Sequence, residues 1–235
     1  IMLAIDVSTS MLAEDLKPNR LEAAKDVAAE FINGRPNDNI GITLFAGETF
    51  TQCPLTVDHA VLLDMIHNIK CGLITDGTAV GMGIANAVTR LKDSKAKSKV
   101  IILLTDGTNN KGDISPMTAA EIAKSFGIRV YTIGVGTNGM APYPYPVGNT
   151  VQYVSMPVEI DEKTLTEIAG TTDGNYFRAT SNSKLKEVYE EIDKLEKTKL
   201  NVKEYSKRDE EYHWFALAAF LCVLLEVLLR NSVLK

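Results

Sequence analysis

A chain of 235 residues with 45% apolar and 23% charged residues is long enough to bury one large core, and its net charge of −5 without a basic stripe excludes nucleic acid as the main partner. Three scattered cysteines, Cys53, Cys71 and Cys222, supply neither a disulfide framework nor a zinc pattern. Buried free thiols are the plainer reading of them, a Cys53 to Cys71 bridge the alternative. The chain opens inside an apolar run with no initiator methionine and no charged leader, so no signal peptide is legible and Ile1 reads as an internal position.

Residues 1–5 are uninterruptedly apolar, the habit of a strand buried on both faces of a parallel sheet. The run ends in Asp6, with Ser8 and Ser10 at alternating positions beyond it. Open α/β sheets bind ligands at that carboxyl edge. Residues 20–33 carry Leu21, Ala24, Val27, Ala28, Phe31 and Ile32 at helical spacing, and Gly34, Arg35 and Pro36 stop the pattern. Residues 39–46 form the next strand, and 48–53 alternate as an antiparallel edge strand after a tight turn. A second helix, 58–70, turns Val61, Leu62, Met65, Ile66 and Ile69 inward. His59 and His67 fall on or beside it without carboxylate or cysteine company, as solvated or capping residues.

Residues 78–91 give a third helix, with Gly81 and Gly83 near its start where small residues admit a close approach of the loops. After a charged turn, the strand 99–105 ends at Asp106, a second carboxylate at the same sheet edge. A helix over 115–126 and a strand over 128–136 continue the alternation, which predicts right-handed crossovers in a mainly parallel sheet. From 137 to 157 a Gly, Pro and Tyr mixture has no helical period and reads as a long loop, either a binding surface or a cover over the sheet edge. A helix over 161–170, a strand at 174–179 and a long helix over 183–199, with Leu185, Val188, Tyr189, Ile192 and Leu195 inward, complete the domain.

Beyond residue 200 the composition shifts to a charged linker, 201–212, and then to an apolar tail, 213–231. Residues 214–225 hold twelve positions without a charge before Glu226, against roughly 20 apolar residues for a full membrane span. Tyr212, His213 and Trp214 suit an interfacial belt, and Arg230 and Lys235 an anchor at the other end. The tail is therefore read as a transmembrane helix in preference to a core-docking or dimer-forming one.

Asp6, Ser8, Ser10, Thr78 and Asp106 are oxygen donors of the kind a hard divalent cation takes, Mg²⁺ above all with Mn²⁺ or Ca²⁺ as alternatives. Taken singly, Ser10 and Thr78 read as helix N-caps. Taken together, the D-x-S-x-S of Asp6, Ser8 and Ser10, the distant Thr78 and the distant Asp106 resemble the metal-ion-dependent adhesion site (MIDAS) of the von Willebrand factor A domain, without departure from its pattern. The resemblance covers about residues 1–200. It implies a Rossmann-like α/β fold, a mainly parallel sheet with one antiparallel edge strand and helices on both faces, and a site that takes an acidic residue from a partner protein.

The opening IMLAIDVSTSM, the stretch TQCPLT, the Tyr/Pro-rich segment, the closing VYEEIDKLEKT and the apolar tail are similar to the aerotolerance (Bat) membrane proteins. That resemblance implies a bacterial inner-membrane protein with its A domain on the extracytoplasmic side, related A-domain proteins and a MoxR-type AAA+ ATPase as partners, and a role in envelope assembly or stress tolerance. Two other classes compete. Haloacid-dehalogenase-type phosphatases also end a first strand in Asp, as nucleophile, but need a second carboxylate two residues on, where Ser8 stands. A metal-independent scaffold with a vestigial site is the other alternative.

Overall fold

The computed structural model describes residues 1–148, 150–205, 217 and 226. Contacts divide the chain into two units, Ile1–Glu196 and Lys197–Lys235. The first unit is built on a six-stranded sheet, and its strands are β1 (Met2–Asp6), β2 (Ile40–Phe45), β3 (Thr49–Thr56), β4 (Lys99–Thr105), β5 (Ile128–Val135) and, after a separate hairpin of β6 (Met140–Val147) and β7 (Thr150–Pro157), β8 (Tyr176–Ala179). The order across the sheet is β3-β2-β1-β4-β5-β8, and every neighbouring pair is parallel except β2 with β3. The single antiparallel strand lies at one edge, as its alternating sequence predicts.

The helices are α1 (Arg20–Asn33), α2 (His59–His67), α3 (Val80–Leu91), α4 (Pro116–Ser125), α5 (Glu162–Thr171) and α6 (Asn182–Tyr205). Successive side chains of β1 point to opposite faces of the sheet. Leu3 and Ile5 enter one core with residues of α1, α2 and α6, such as Leu21, Leu62 and Leu185. Met2 and Ala4 enter the other with Val80, Ala119 and Leu165 of α3, α4 and α5. Both faces are covered, so β1 and β2 are buried along their whole length. That is why they read as apolar runs without alternation.

Local signals place the helix starts. The Asn19, Asp58, Ser115 and Asp161 side chains each accept a backbone N–H from the first turn of α1, α2, α4 and α5 respectively. The helix α2 ends at His67, short of residue 70. Ile69 is buried beyond it, with its carbonyl taken by the Lys25 ammonium at 3.1 Å, a tertiary bond that competes with another helical turn. His59 heads this helix, and its Nε2 lies 2.9 Å from the Asp38 carbonyl.

The stretch from 137 to 157 departs most from expectation. It is a two-stranded antiparallel hairpin rather than a loop, closed by a tight turn in which Gly148 has φ +58°. Proline argues against strand only where its missing N–H is needed for the ladder. Here Pro142, Pro144 and Pro146 sit at every second residue, so the strand pairs through the residues between them.

Cys53 and Cys71 are free thiols, the first buried in β3. Cys222 lies outside the described residues. No helix among the described residues is long and apolar enough to cross a membrane. The expected span, 213–231, lies outside them apart from Leu217 and Glu226.

Candidate metal centre

The chain leaves β1 for β2 on one side and returns to β4 on the other, so the crevice beyond the ends of β1 and β4 is a topological switch point. Asp6 is the last residue of β1, and Asp106 follows the last residue of β4. Between β1 and α1 the chain makes a short 3₁₀ turn, Thr9–Leu12. This turn lifts Ser8 and Ser10 over the strand ends.

All five sequence-predicted residues meet in this crevice. The Ser8 N–H donates to Asp6 Oδ1 at 2.9 Å, and the Ser8 and Ser10 hydroxyls lie 2.9 Å apart. Ser10 Oγ then donates to Asp106 Oδ1 at 2.7 Å. Thr78 arrives on a third loop, locked by its own N–H to Asn110 Oδ1 at 2.9 Å and by its carbonyl, which accepts the Asn110 N–H at 3.0 Å. A Cβ on Gly107 would come within 3.3 Å of the Thr78 hydroxyl, so the residue after Asp106 keeps room beside that oxygen by having no side chain.

Neither serine nor threonine is spent on capping. The 3₁₀ turn has no side-chain cap bond at Ser8, and α3 starts from Ala79, also without one. The Thr78 hydroxyl makes no hydrogen bond among the described residues. The N-cap reading of Ser10 and Thr78 therefore gives way, because their oxygens face the opposite loop instead of the helix they precede.

Asp6, Ser8, Thr78 and Asp106 are buried, while Ser10 is exposed at the rim. Burial, and then the charge of Asp106, push the Asp6 carboxyl well above its ordinary value, against the hydrogen bonds from Ser8 and Thr105. Burial likewise raises Asp106, against the charge and hydrogen bonds of Arg20.

Four contributors carried no signal in the motif. Thr105 Oγ1 donates to Asp6 Oδ2 at 2.6 Å. Arg20 Nη1 donates to Asp106 Oδ2 at 2.7 Å, while its Nε and Nη2 fork onto Asp15 at 2.7 Å each. Asp76 accepts both the N–H and the hydroxyl of Thr9, at 3.0 and 2.7 Å, and ties the first loop to the third. One cue for Arg20 was available: a cation at the first position of a helix opposes the macrodipole and calls for an anionic partner.

Asp15 and Asp106 share the Arg20 guanidinium, while Asp6 accepts from the Ser8 N–H and the Thr105 hydroxyl and feels the charge of Asp106, so two negative charges stay uncompensated when all three ionise. The donors are hydroxyls and carboxylates only, and the described residues hold no cluster of three or more His, Cys, Asp or Glu suited to a metal. This chemistry fits a hard divalent cation bound largely by neutral oxygens. Beside Ser10 lies a cleft of about 250 Å³, lined by Thr9, Ser10, Ala13 and Arg20 on one side and by Tyr143 and Met156 of the hairpin on the other.

Comparison with known proteins identifies the family of this fold. The family model of the von Willebrand factor type A domain matches residues 1–191. The crystal structure of BatB from Bacteroides thetaiotaomicron is 34% identical, with a TM-score of 0.72, over 83% of this chain and 98% of that one. An aerotolerance-related membrane protein from Bacteroides fragilis NCTC 9343 is 32% identical, with a TM-score of 0.72, over 82% and 96%. Proximal thread matrix protein 1 from the mussel byssus, solved with a zinc-occupied MIDAS motif, is 25% identical with a TM-score of 0.63, over 83% of this chain and 44% of that one. A UPF0353 protein from Mycolicibacterium paratuberculosis is 32% identical over 80% of this chain, which spans only 58% of that relative's length. The chain belongs to the von Willebrand factor type A domain family and, within it, to the aerotolerance-related Bat proteins.

Proposed function

We propose that the domain is a divalent-cation-dependent protein-interaction module. The Ser8 and Ser10 hydroxyls bind the cation directly, and Asp6, Thr78 and Asp106 complete the shell directly or through water. When bound, the cation supplies a positive centre with one position open to a carboxylate from a partner protein. Mg²⁺ is the preferred ion, with Mn²⁺ or Ca²⁺ able to replace it. The observation that carries this reading is the convergence of three hydroxyls and two carboxylates from three loops on one crevice, with Ser10 exposed at its mouth. Asp6 orients this shell from below, since Ser8 and Thr105 engage both of its oxygens.

The residue types argue against the phosphatase alternative. That mechanism needs a second carboxylate two residues after the nucleophile, where Ser8 stands with its hydroxyl 2.9 Å from that of Ser10. We read the module as a non-enzyme.

Our reading of the whole protein extends further. Residues 1–200 form the A domain, 201–212 a linker, and 213–231 a transmembrane helix that anchors it in the bacterial inner membrane with the A domain extracytoplasmic. Related A-domain membrane proteins and a MoxR-type ATPase are its partners in envelope assembly or oxygen tolerance. The apolar tail and the membrane naming of the Bacteroides fragilis relative support this.

Calorimetric titration of Mg²⁺, Mn²⁺ and Ca²⁺ into the chain, beside a Ser10→Ala variant, tests the site. Loss of the Ser10 hydroxyl should weaken binding at least about tenfold, while removal of its hydrogen bond to Asp106 lowers the melting temperature without unfolding the domain. Absence of binding to the folded wild type, or equal binding by the variant, counts against a cation site.

A further inference from the structure

The β6–β7 hairpin has one outer edge that can accept another strand and one that cannot. Its register pairs Ala141 with Met156, Tyr143 with Val154, Tyr145 with Gln152 and Val147 with Thr150. Two bonds show which residues face inward. The Val158 N–H donates to the Gly139 carbonyl at 2.8 Å, continuing the odd-numbered set, and the Glu14 N–H reaches the Pro142 carbonyl from outside at 2.8 Å. Odd residues of β6 therefore bond to β7 while even residues face away, by the alternation of antiparallel ladders.

On β6 three successive outward positions are Pro142, Pro144 and Pro146, and the edge has no N–H to donate across them. On β7 the outward residues are Val151, Tyr153, Ser155 and Pro157, of which the first three retain their N–H groups. None of these three groups has a hydrogen-bond partner among the described residues. All eight residues of β7 are exposed, with Tyr153 at 60% and Val151 at 58%, and none is charged. Natural edges are protected by charge, proline or cover. From Thr150 to Met156 this edge has none of these, and Pro157 blocks it only at its last residue.

We propose that the β7 edge is a dimer interface, pairing antiparallel with β7 of a second copy about a two-fold axis at Tyr153. The two hairpins join into a four-stranded sheet, and the register follows from the symmetry. Val151 meets the partner's Ser155, Gln152 meets the partner's Val154, and Thr150 meets the partner's Met156. No like charges face one another, and the three bonded positions, 151, 153 and 155, hold no proline, Pro157 lying beyond the last of them. The edge is self-complementary in this register, since Val151 and Ser155 each offer the other copy an outward N–H and C=O and no charge opposes them. The blocked β6 edge also decides the stoichiometry. With one competent edge per hairpin, pairing closes at two copies instead of propagating into a filament. This interface is independent of the cation reading.

The test combines sedimentation of the full chain in mild detergent with amide hydrogen exchange across a dilution series. Protection of the Val151, Tyr153 and Ser155 amides should rise with concentration, while those of Gln152 and Val154 stay protected throughout. Tyr153→Pro removes the central outward N–H without touching the hairpin ladder, and should weaken the dimer at least about tenfold. Tyr153→Phe keeps the N–H and loses only the 2.9 Å bond of the tyrosine hydroxyl to Glu14, so it should dimerise as the wild type does. Should Tyr153→Pro fail to fold by its melting curve, Ser155→Pro makes the same test. A monomer at every concentration overturns the proposal. So does a dimer whose three outward amides exchange freely, or one indifferent to both proline variants.

Discussion

Arg20 shows how much of this site rests on one side chain outside the motif. Its side chain is 4% exposed and its guanidinium bridges Asp106 and Asp15, leaving no hydration for any of the three charges. Gly136 makes room for it, since a Cβ there would meet Nη2 at 2.9 Å. Removing the cation leaves two buried carboxylates uncompensated. We expect Arg20→Met to cost about 3–5 kcal/mol in urea denaturation. Arg20→Lys should recover only part of that, because an ammonium cannot reproduce the fork onto Asp15. The five motif residues were legible because each reveals itself by type and spacing. Arg20 was not, since its partners lie 5 and 86 positions away and meet only after the sheet forms.

At the scale of elements, the start of α3 is set by contact more than by propensity. A Cβ on Gly81 would collide with the Ile114 carbonyl oxygen, where the chain enters α4. Alanine favours a helix interior over glycine by about 0.5–1 kcal/mol. At position 81 that gain is outweighed by overpacking, and Gly81→Ala should lose about 1–3 kcal/mol net. Gly170, in α5, has open space around its Cβ position. Gly170→Ala should stabilise by about 0.4–1 kcal/mol in the same thermal or urea measurement, and an equal response of the two variants would refute the contact argument. The sequence reading expected small residues at 81 and 83 for close approach to the loops, and Gly81 meets that expectation. Gly83 instead makes room for the Phe45 ring, at 2.8 Å from its Cβ position. The hairpin escaped that reading because proline content was weighed without register, and only the alternation of positions 142, 144 and 146 reconciles proline with a paired strand.

Across the whole first unit, the last helix is tied back to the sheet through one acid. Glu196 of α6 is 2% exposed and accepts hydrogen bonds from Tyr131 at 2.6 Å, Arg129 at 2.6 Å and Ser98 at 2.8 Å. Burial pushes its carboxyl upward, but the Tyr131, Ser98 and Arg129 bonds together outweigh burial and hold it below its ordinary 4.5. A group whose folded value is depressed contributes fully above the unfolded value and loses that contribution as pH falls through the folded one. Stability from this cluster should therefore be complete at neutral pH and decline below 4.5. Glu196→Gln should be less stable at neutral pH and show a shallower acid decline in denaturant titrations. A parallel decline would remove Glu196 from the account.

The sequence alone determined the strands buried on both faces, the antiparallel edge strand and the starts of α1, α2, α4 and α5, and it named the five candidate ligands. Those features are written in local periodicity, capping residues and ligand type, which a linear chain displays directly. The tertiary structure alone decided the Arg20 bridge, the loss of the capping roles of Ser10 and Thr78, the early end of α2 and the open edge of β7. Each of these depends on which atoms the folded sheet brings within hydrogen-bond reach or leaves facing solvent, and spacing along the chain does not encode that.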